Sequence, residues 1–175
     1  KPGNILVTAD GVPKLLDFGV ARLLESAESD REPVDAEGDA PALAMTPEYA
    51  SPEQLRGEPV TTASDVYALG ILLYVLLAGR HPYPPVRRTR AAVERTIRET
   101  TIAPPSEILP PEDRTRGRQR RLRGDVDAIV LAAIHPDPDA RYGSVGELRR
   151  DLRDHREGLP VAPGGRPCRD RKPFP

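Results

Sequence analysis

The run from Ser64 to Gly79, SDVYALGILLYVLLAG, constrains this chain more than any other stretch. After two polar residues it passes almost unbroken through Leu69, Ile71, Leu72, Leu73, Tyr74, Val75, Leu76 and Leu77. A surface helix carries an apolar stripe on one side, whereas a helix apolar nearly all round belongs in the middle of a domain. The pattern predicts such a helix, with Thr62 or Ser64 capping its start, Asp65 near the positive end of its dipole and Gly79 as a left-handed stop. From Ala68 to Ala78 the run is too short to cross a membrane, which takes roughly 18 or more apolar residues. At ~1.5–3 kcal/mol per large side chain buried, this helix is the expected anchor of the fold. An acid near the head of a buried helix then needs a partner, and Asp65 is that acid.

A chain of 175 residues is long enough for one domain with a real core. Its formal net charge of −1 gives no reason to expect nucleic acid or an anionic membrane as a partner. Cys168 is the only cysteine, which excludes an intramolecular disulfide framework and fits a reducing, cytoplasmic setting. No signal peptide or membrane segment is recognisable within the chain. The first residue is Lys, with an apolar run close behind, as expected of a chain cut from a longer one.

Asn4-Ile5-Leu6-Val7 reads as a short strand, Ala9-Asp10-Gly11 as a tight turn and Pro13-Lys14-Leu15-Leu16 as the returning strand. Such a hairpin brings Asn4 and Asp17, at its two ends, close together. An amide oxygen and a carboxylate converging there can ligate a hard divalent cation such as Mg²⁺. Asn and Asp also flank turns for purely local reasons, so the pair alone does not decide the matter.

The combination is more specific. Lys1-Pro2-Gly3-Asn4, Asp17-Phe18-Gly19, Thr46-Pro47-Glu48-Tyr49-Ala50-Ser51-Pro52-Glu53 and Ser64-Asp65-Val66-Tyr67-Ala68-Leu69-Gly70 follow one another in that order. Together they resemble the C-terminal lobe of a bacterial, eukaryotic-type (Hanks-type) serine/threonine protein kinase, truncated at its N-terminus. The family's catalytic loop reads H-R-D-L-x-x-x-N, and this chain begins at the first x. The resemblance implies an α+β, mostly α fold, with a small β-hairpin carrying the metal ligands and the N-terminal lobe absent. It implies ATP and Mg²⁺ as cofactors, with Lys1 steadying the transferring phosphoryl group and Asn4 and Asp17 holding Mg²⁺. The aspartate that orients the substrate hydroxyl is expected two positions before Lys1, outside this chain.

Residues 20–45 correspond to the activation loop in this resemblance. Their acids, Glu25, Glu28, Asp30, Glu32, Asp35, Glu37 and Asp39, outnumber Arg22 and Arg31, a composition that argues for a mobile loop. Ser26 and Ser29 are its candidate phosphosites, since a phosphate can order a loop by pairing with arginines; an unmodified loop is the alternative. Thr46 is expected to hydrogen-bond the catalytic aspartate and Lys1. The segment to Ala50 then forms the floor for the substrate peptide, and threonine at this point goes with serine or threonine acceptors. Ser51 stands where the family usually has alanine. Glu53 precedes an apolar stretch, and a buried carboxylate there needs a cation; the resemblance pairs it with Arg141. In the same way Asp65 is expected to support the catalytic loop by accepting its backbone N–H groups, and Tyr67 to replace a common tryptophan.

Beyond Arg80, Val93 and Ile97 mark a helix with a narrow apolar stripe. Six arginines fall between Arg114 and Arg123, a basic patch able to dock an acidic or phosphorylated partner or simply a solvated face. No aromatics interleave with them, so nucleic acid is not expected. Asp125 is expected to cap a helix with Val126, Ile129, Val130, Ala133 and Ile134 inward. Ser144-Val145-Gly146-Glu147 reads as a capping box opening a last helix with Val145, Leu148 and Leu152 inward. His81, His135 and His155 share no metal spacing.

The expected organisation is a partial kinase domain over residues 1–157 and a disordered Pro/Gly/Arg-rich tail over 158–175. The implied parent activity is transfer of the γ-phosphoryl of MgATP to protein Ser/Thr hydroxyls. Its partners are a protein substrate and the missing N-terminal lobe, with any membrane tether lying beyond the C-terminus. By itself the chain is expected to be inactive, lacking the catalytic aspartate and the nucleotide lobe. The alternative is a non-catalytic kinase-like binding module, either a pseudokinase or a scaffold. Intact Lys1, Asn4, Asp17 and Thr46 favour the enzyme.

Overall fold

The computed structural model describes residues 2–15, 47–86 and 89–165. The chain divides into two compact units, Lys1–Thr46 and Pro47–Pro175, each taken by itself. In the first, a 3₁₀ turn over Pro2–Asn4 leads into strand β1 (Ile5–Val7), which pairs antiparallel with β2 (Pro13–Leu15) in the register Ile5–Leu15, Leu6–Lys14, Val7–Pro13. Gly11 sits at φ 79°, the left-handed conformation that the turn requires. Thr8 closes the loop: its backbone N–H donates to the Val12 carbonyl, and its Oγ1 accepts from the Val12 N–H at 3.1 Å. The hairpin is as expected, except that Asn4 belongs to the 3₁₀ turn rather than to the strand.

The second unit is helical. Helix α1 (Pro52–Arg56) ends at Gly57 (φ 72°), where the N–H groups of Gly57 and Glu58 return to the carbonyls of Gln54 and Glu53. Helix α2 (Thr62–Ala78) is the predicted long helix, and Gly79 (φ 71°) stops it. Its cap is neither Thr62 nor Ser64. Thr61 caps it by accepting from the Ala63 N–H, while Thr62 donates to the Gly143 carbonyl and Ser64 to Glu53.

Helices α3 (Arg90–Glu99), α4 (Arg116–Leu122), α5 (Asp125–Ala133) and α6 (Val145–Arg156) complete the unit. The core gathers Val66 of α2, Ile129 and Ala133 of α5, Tyr142, Leu148 of α6 and Val161. Val161 corrects the expected tail. Val161 and Pro163 are buried, and the turn Pro163–Gly165 packs on α5, so folded chain extends to residue 165. A Pro/Gly-rich composition hid one well-placed valine. Residues 166–175 lie outside the described residues.

Three further expectations change. Helix α2 is not enclosed all round: it buries Val66, Tyr67, Gly70, Ile71 and Tyr74, whereas Leu69 is 39 % and Leu76 68 % exposed. Among the described residues its most extensive packing is against α5, α6 and short 3₁₀ turns. In α6, Leu148 is buried but Val145 faces outward at the first turn. Asp125 is the first residue of α5 rather than its cap, which is Gly124.

Helices α2 and α5 touch closely because Gly70 has no side chain. A Cβ there would lie 2.7 Å from Ile134 Cγ2 and 2.8 Å from Ala133 Cβ. Gly70→Ala should therefore destabilise the unit by roughly 1–3 kcal/mol through overpacking, despite alanine's better helix propensity. Urea unfolding followed by circular dichroism measures this, and an unchanged or higher midpoint would refute the close contact.

Candidate functional site

The organising feature of the helical unit is a buried ion pair. Glu53 comes from the first turn of α1, and Arg141 from the irregular segment between α5 and α6. Arg141 Nη1 donates to Glu53 Oε1 at 2.7 Å and Nη2 to Oε2 at 2.8 Å, a bidentate fork. The remaining three N–H groups reach the carbonyls of His135 (2.6 Å), Ala63 (3.0 Å) and Pro136 (3.0 Å). All five donors of the guanidinium are thereby satisfied. Its face lies 4.9 Å from the centre of the Tyr67 ring, close enough for a cation–π contact. On the other side, Ser64 Oγ donates to Glu53 Oε1 at 2.7 Å. Burial alone would raise the Glu53 carboxyl. The hydrogen bonds from Arg141 and Ser64, with the guanidinium charge, outweigh it and bring the pKa to about 2.

Ahead of α1 runs the segment Pro47–Tyr49, a 3₁₀ turn, followed by buried Ala50 and Ser51. Gln54 Oε1 accepts from both the backbone N–H (2.9 Å) and the hydroxyl (3.1 Å) of Ser51, so a buried serine is accommodated here. His81 grips the same segment from beyond α2. Its Nδ1 accepts from the Tyr83 N–H, which leaves the proton on Nε2, and Nε2 donates to the Glu48 carbonyl at 2.9 Å. The imidazole also meets the Tyr49 ring edge-on at 5.8 Å. Nothing in the sequence singled out His81 for this, because its partner is a backbone carbonyl. Tyr83, whose hydroxyl lies 3.1 Å from that of Tyr67, links this contact to the ion pair.

Asp127 also escaped the sequence reading. It is buried, and it accepts from the Ser106 N–H (3.0 Å) and hydroxyl (2.6 Å), fastening the 105–107 turn to α5. The expected capping box is displaced: Ser144 Oγ accepts from the Glu147 N–H, but the Glu147 carboxylate takes the Gly143 N–H instead of that of Ser144. A recess of about 480 Å³ opens beside the ion pair, walled by Glu58, Thr61, Thr62, Asp139 and Gly143 among others. Among the described residues Arg141 is its only basic lining residue, and its guanidinium is committed to Glu53.

Of the residues singled out from sequence, the structure joins Glu53 and Arg141. Asn4 is half-buried at the head of β1, and Asp65 is exposed on the first turn of α2. Lys1, Asp17, Thr46, Ser26 and Ser29 lie outside the described residues. Among the described residues no cluster of three or more His, Cys, Asp and Glu side chains is placed to hold a metal. No described helix is long and apolar enough to cross a membrane.

The protein kinase domain family matches residues 1–151. Serine/threonine-protein kinase PknB of Mycobacterium tuberculosis is 37 % identical over 164 residues, covering 93 % of this chain and 23 % of the relative. PknB of Mycobacterium leprae is 36 % identical with the same coverage, and a probable serine/threonine-protein kinase of Streptomyces coelicolor is 35 % identical over 161 residues, 92 % of this chain and 21 % of the relative. The chain belongs to the protein kinase domain family. It spans less than a quarter of the length of these relatives.

Because the folded-state pKa of Glu53 is depressed from 4.5 to about 2, its contribution to stability is present above about pH 4.5 and is lost as pH falls towards 2. The shift is worth roughly 3 kcal/mol. Glu53→Gln should remove most of that acid limb from a stability–pH profile, and Arg141→Met should cost about 3–5 kcal/mol at neutral pH by stranding a buried carboxylate. Urea midpoints at several pH values test both; an unaltered acid limb in Glu53→Gln would contradict the assignment.

Proposed function

We propose that this chain is part of a serine/threonine protein kinase that transfers the γ-phosphoryl of MgATP to Ser or Thr hydroxyls of proteins. The observation that carries the reading is the family match over residues 1–151, with relatives named serine/threonine-protein kinases across almost the whole chain. The buried Glu53–Arg141 pair supports it, since it seats the segment that begins at Pro47 on the helical unit. Catalysis of this kind is positioning and charge neutralisation, so a rigid support behind the substrate is a functional part.

On this reading residues 1–157 are the C-terminal lobe of a kinase domain, with residues 20–45 as its activation loop. Lys1 steadies the transferring phosphoryl group, and Thr46 opens the floor on which the acceptor peptide lies. Asn4 and Asp17 hold Mg²⁺; an amide and a carboxylate oxygen are the hard donors this ion takes. Bound there, the ion would neutralise charge on the nucleotide phosphates. Asp65 braces the loop that carries Lys1 and Asn4. His81 steadies the floor through the Glu48 carbonyl. The parent works in the cytoplasm, with or without a membrane tether of its own.

The full-length natural product carrying this chain should phosphorylate a Ser/Thr peptide pool with radiolabelled ATP, while the 175 residues alone should give no measurable transfer. Asp17→Asn should abolish the activity of the full-length protein with its fold intact. His81→Phe should lower kcat/KM for peptide more than for ATP. A full-length product that neither binds MgATP nor transfers phosphate would leave the binding-module reading in its place.

A further inference from the structure

After α6 the chain turns back onto the helical unit. Gly158, at φ 72°, reverses it: its N–H donates to the His155 carbonyl at 3.1 Å, and the Leu159 N–H to the Asp154 carbonyl at 2.8 Å. Residues 159–165 follow and end in the Pro163–Gly165 turn, which packs on α5 and α6. This stretch lies past residue 151, where the family match stops.

The returning segment reaches the chain on both sides of Arg141. Val161 is buried in the same core cluster as Tyr142, the residue after Arg141. Gly164 comes so near Ala140, the residue before it, that a Cβ would lie 3.3 Å from the Ala140 carbonyl oxygen. Gly164 sits at φ 68°, a left-handed conformation that glycine takes without strain. Between α5 and α6 the chain makes only the 3₁₀ turn Pro138–Ala140, so Arg141 has no longer element of its own to hold it. A bidentate fork is geometrically exacting, and the backbone that carries it must be held. We propose that residues 159–165 are a positioning strap for Arg141: Val161 and Gly164 hold the backbone on either side of it and keep its guanidinium aligned with Glu53. Through that pair the strap bears on the Pro47–Tyr49 turn. Its effect on an acceptor peptide rests on the kinase reading; its hold on Arg141 stands without it.

Core filling alone is the rival role. A strap that only fills space contributes the same whatever faces Arg141, whereas one that aligns Arg141 contributes less when residue 53 carries no charge. A mutant cycle on the 175-residue chain separates the two. Gly164→Ala presses a Cβ towards Ala140 at a left-handed position, so it should lower the urea midpoint at neutral pH. The loss should be clearly smaller when the same change is made in Glu53→Gln. Val161→Ala should show the same coupling from the Tyr142 side, and it decides the matter if Gly164→Ala does not fold. Leu122→Ala, at a buried position on α4, should cost the same in both backgrounds. In the full-length natural product, Gly164→Ala should raise KM for a Ser/Thr peptide severalfold and leave KM for ATP where it was. If the wild-type product transfers no phosphate, the kinase reading falls and the cycle alone judges the strap. Equal losses in both backgrounds, coupling as strong at Leu122, or a KM for ATP that rises with that for peptide would each overturn the proposal.

Discussion

A guanidinium with all five N–H groups bonded, facing a carboxylate taken from 88 residues earlier, is the constraint around which the helical unit is arranged. Glu53 alone would be a buried anion, and Arg141 alone a buried cation; either is untenable in an apolar surrounding. Together they fix α1, the head of α2 and the carbonyls at His135 and Pro136 relative to one another. An apolar pair of equal volume would also fill the space. It would, however, leave the carbonyls of Ala63, His135 and Pro136 without these donors, and each orphaned carbonyl costs roughly 1–3 kcal/mol. The pair thus does more than offset its own desolvation: it satisfies the backbone where three segments meet.

The packing around it follows from that arrangement. Tyr67 lies beneath the guanidinium and passes its hydroxyl to Tyr83, and the Tyr83 N–H sets the tautomer of His81. His81 then holds the Glu48 carbonyl, so the Pro47–Tyr49 turn is reached from two sides, through α1 and through the imidazole. Gly70 lets α2 and α5 approach until Ala133 and Ile134 touch the helix backbone region, which brings Tyr142 and the chain around Arg141 within range of Glu53. Strong coupling of this kind makes the segment ahead of α1 a stiff element rather than a loop.

What the residues revealed in advance was what depends on local pattern or on charge. The Gly79 stop, the Val93–Ile97 stripe of α3 and the hairpin turn all follow from nearest-neighbour chemistry. Glu53 was recognisable as a buried acid that must find a cation, and the resemblance to the kinase family supplied Arg141 as its partner. What stayed hidden was mostly a matter of which polar group meets which. Ser64 has the composition of a helix cap, yet its hydroxyl goes to a carboxylate eleven residues back. Glu147 misses the N–H of Ser144 and takes that of Gly143. His81 and Asp127 act on backbone groups or on a distant serine, which no spacing rule encodes. Val161 was masked by its neighbours' composition. Leu69 and Leu76 went the other way: their pattern asks for cover that the described elements do not supply.

Membership of the kinase family and the described geometry meet at one point of physics. Phosphoryl transfer needs little covalent help from the protein and much positional accuracy, with a misplacement near 1 Å costing on the order of 100-fold. A loosely held support would lose that accuracy. The helical unit supplies the opposite: a closed polar network inside a packed core. A chain that keeps so fully satisfied an ion pair behind the Pro47–Tyr49 turn is built to hold that turn still, and holding still is what the proposed phosphoryl transfer would ask of it.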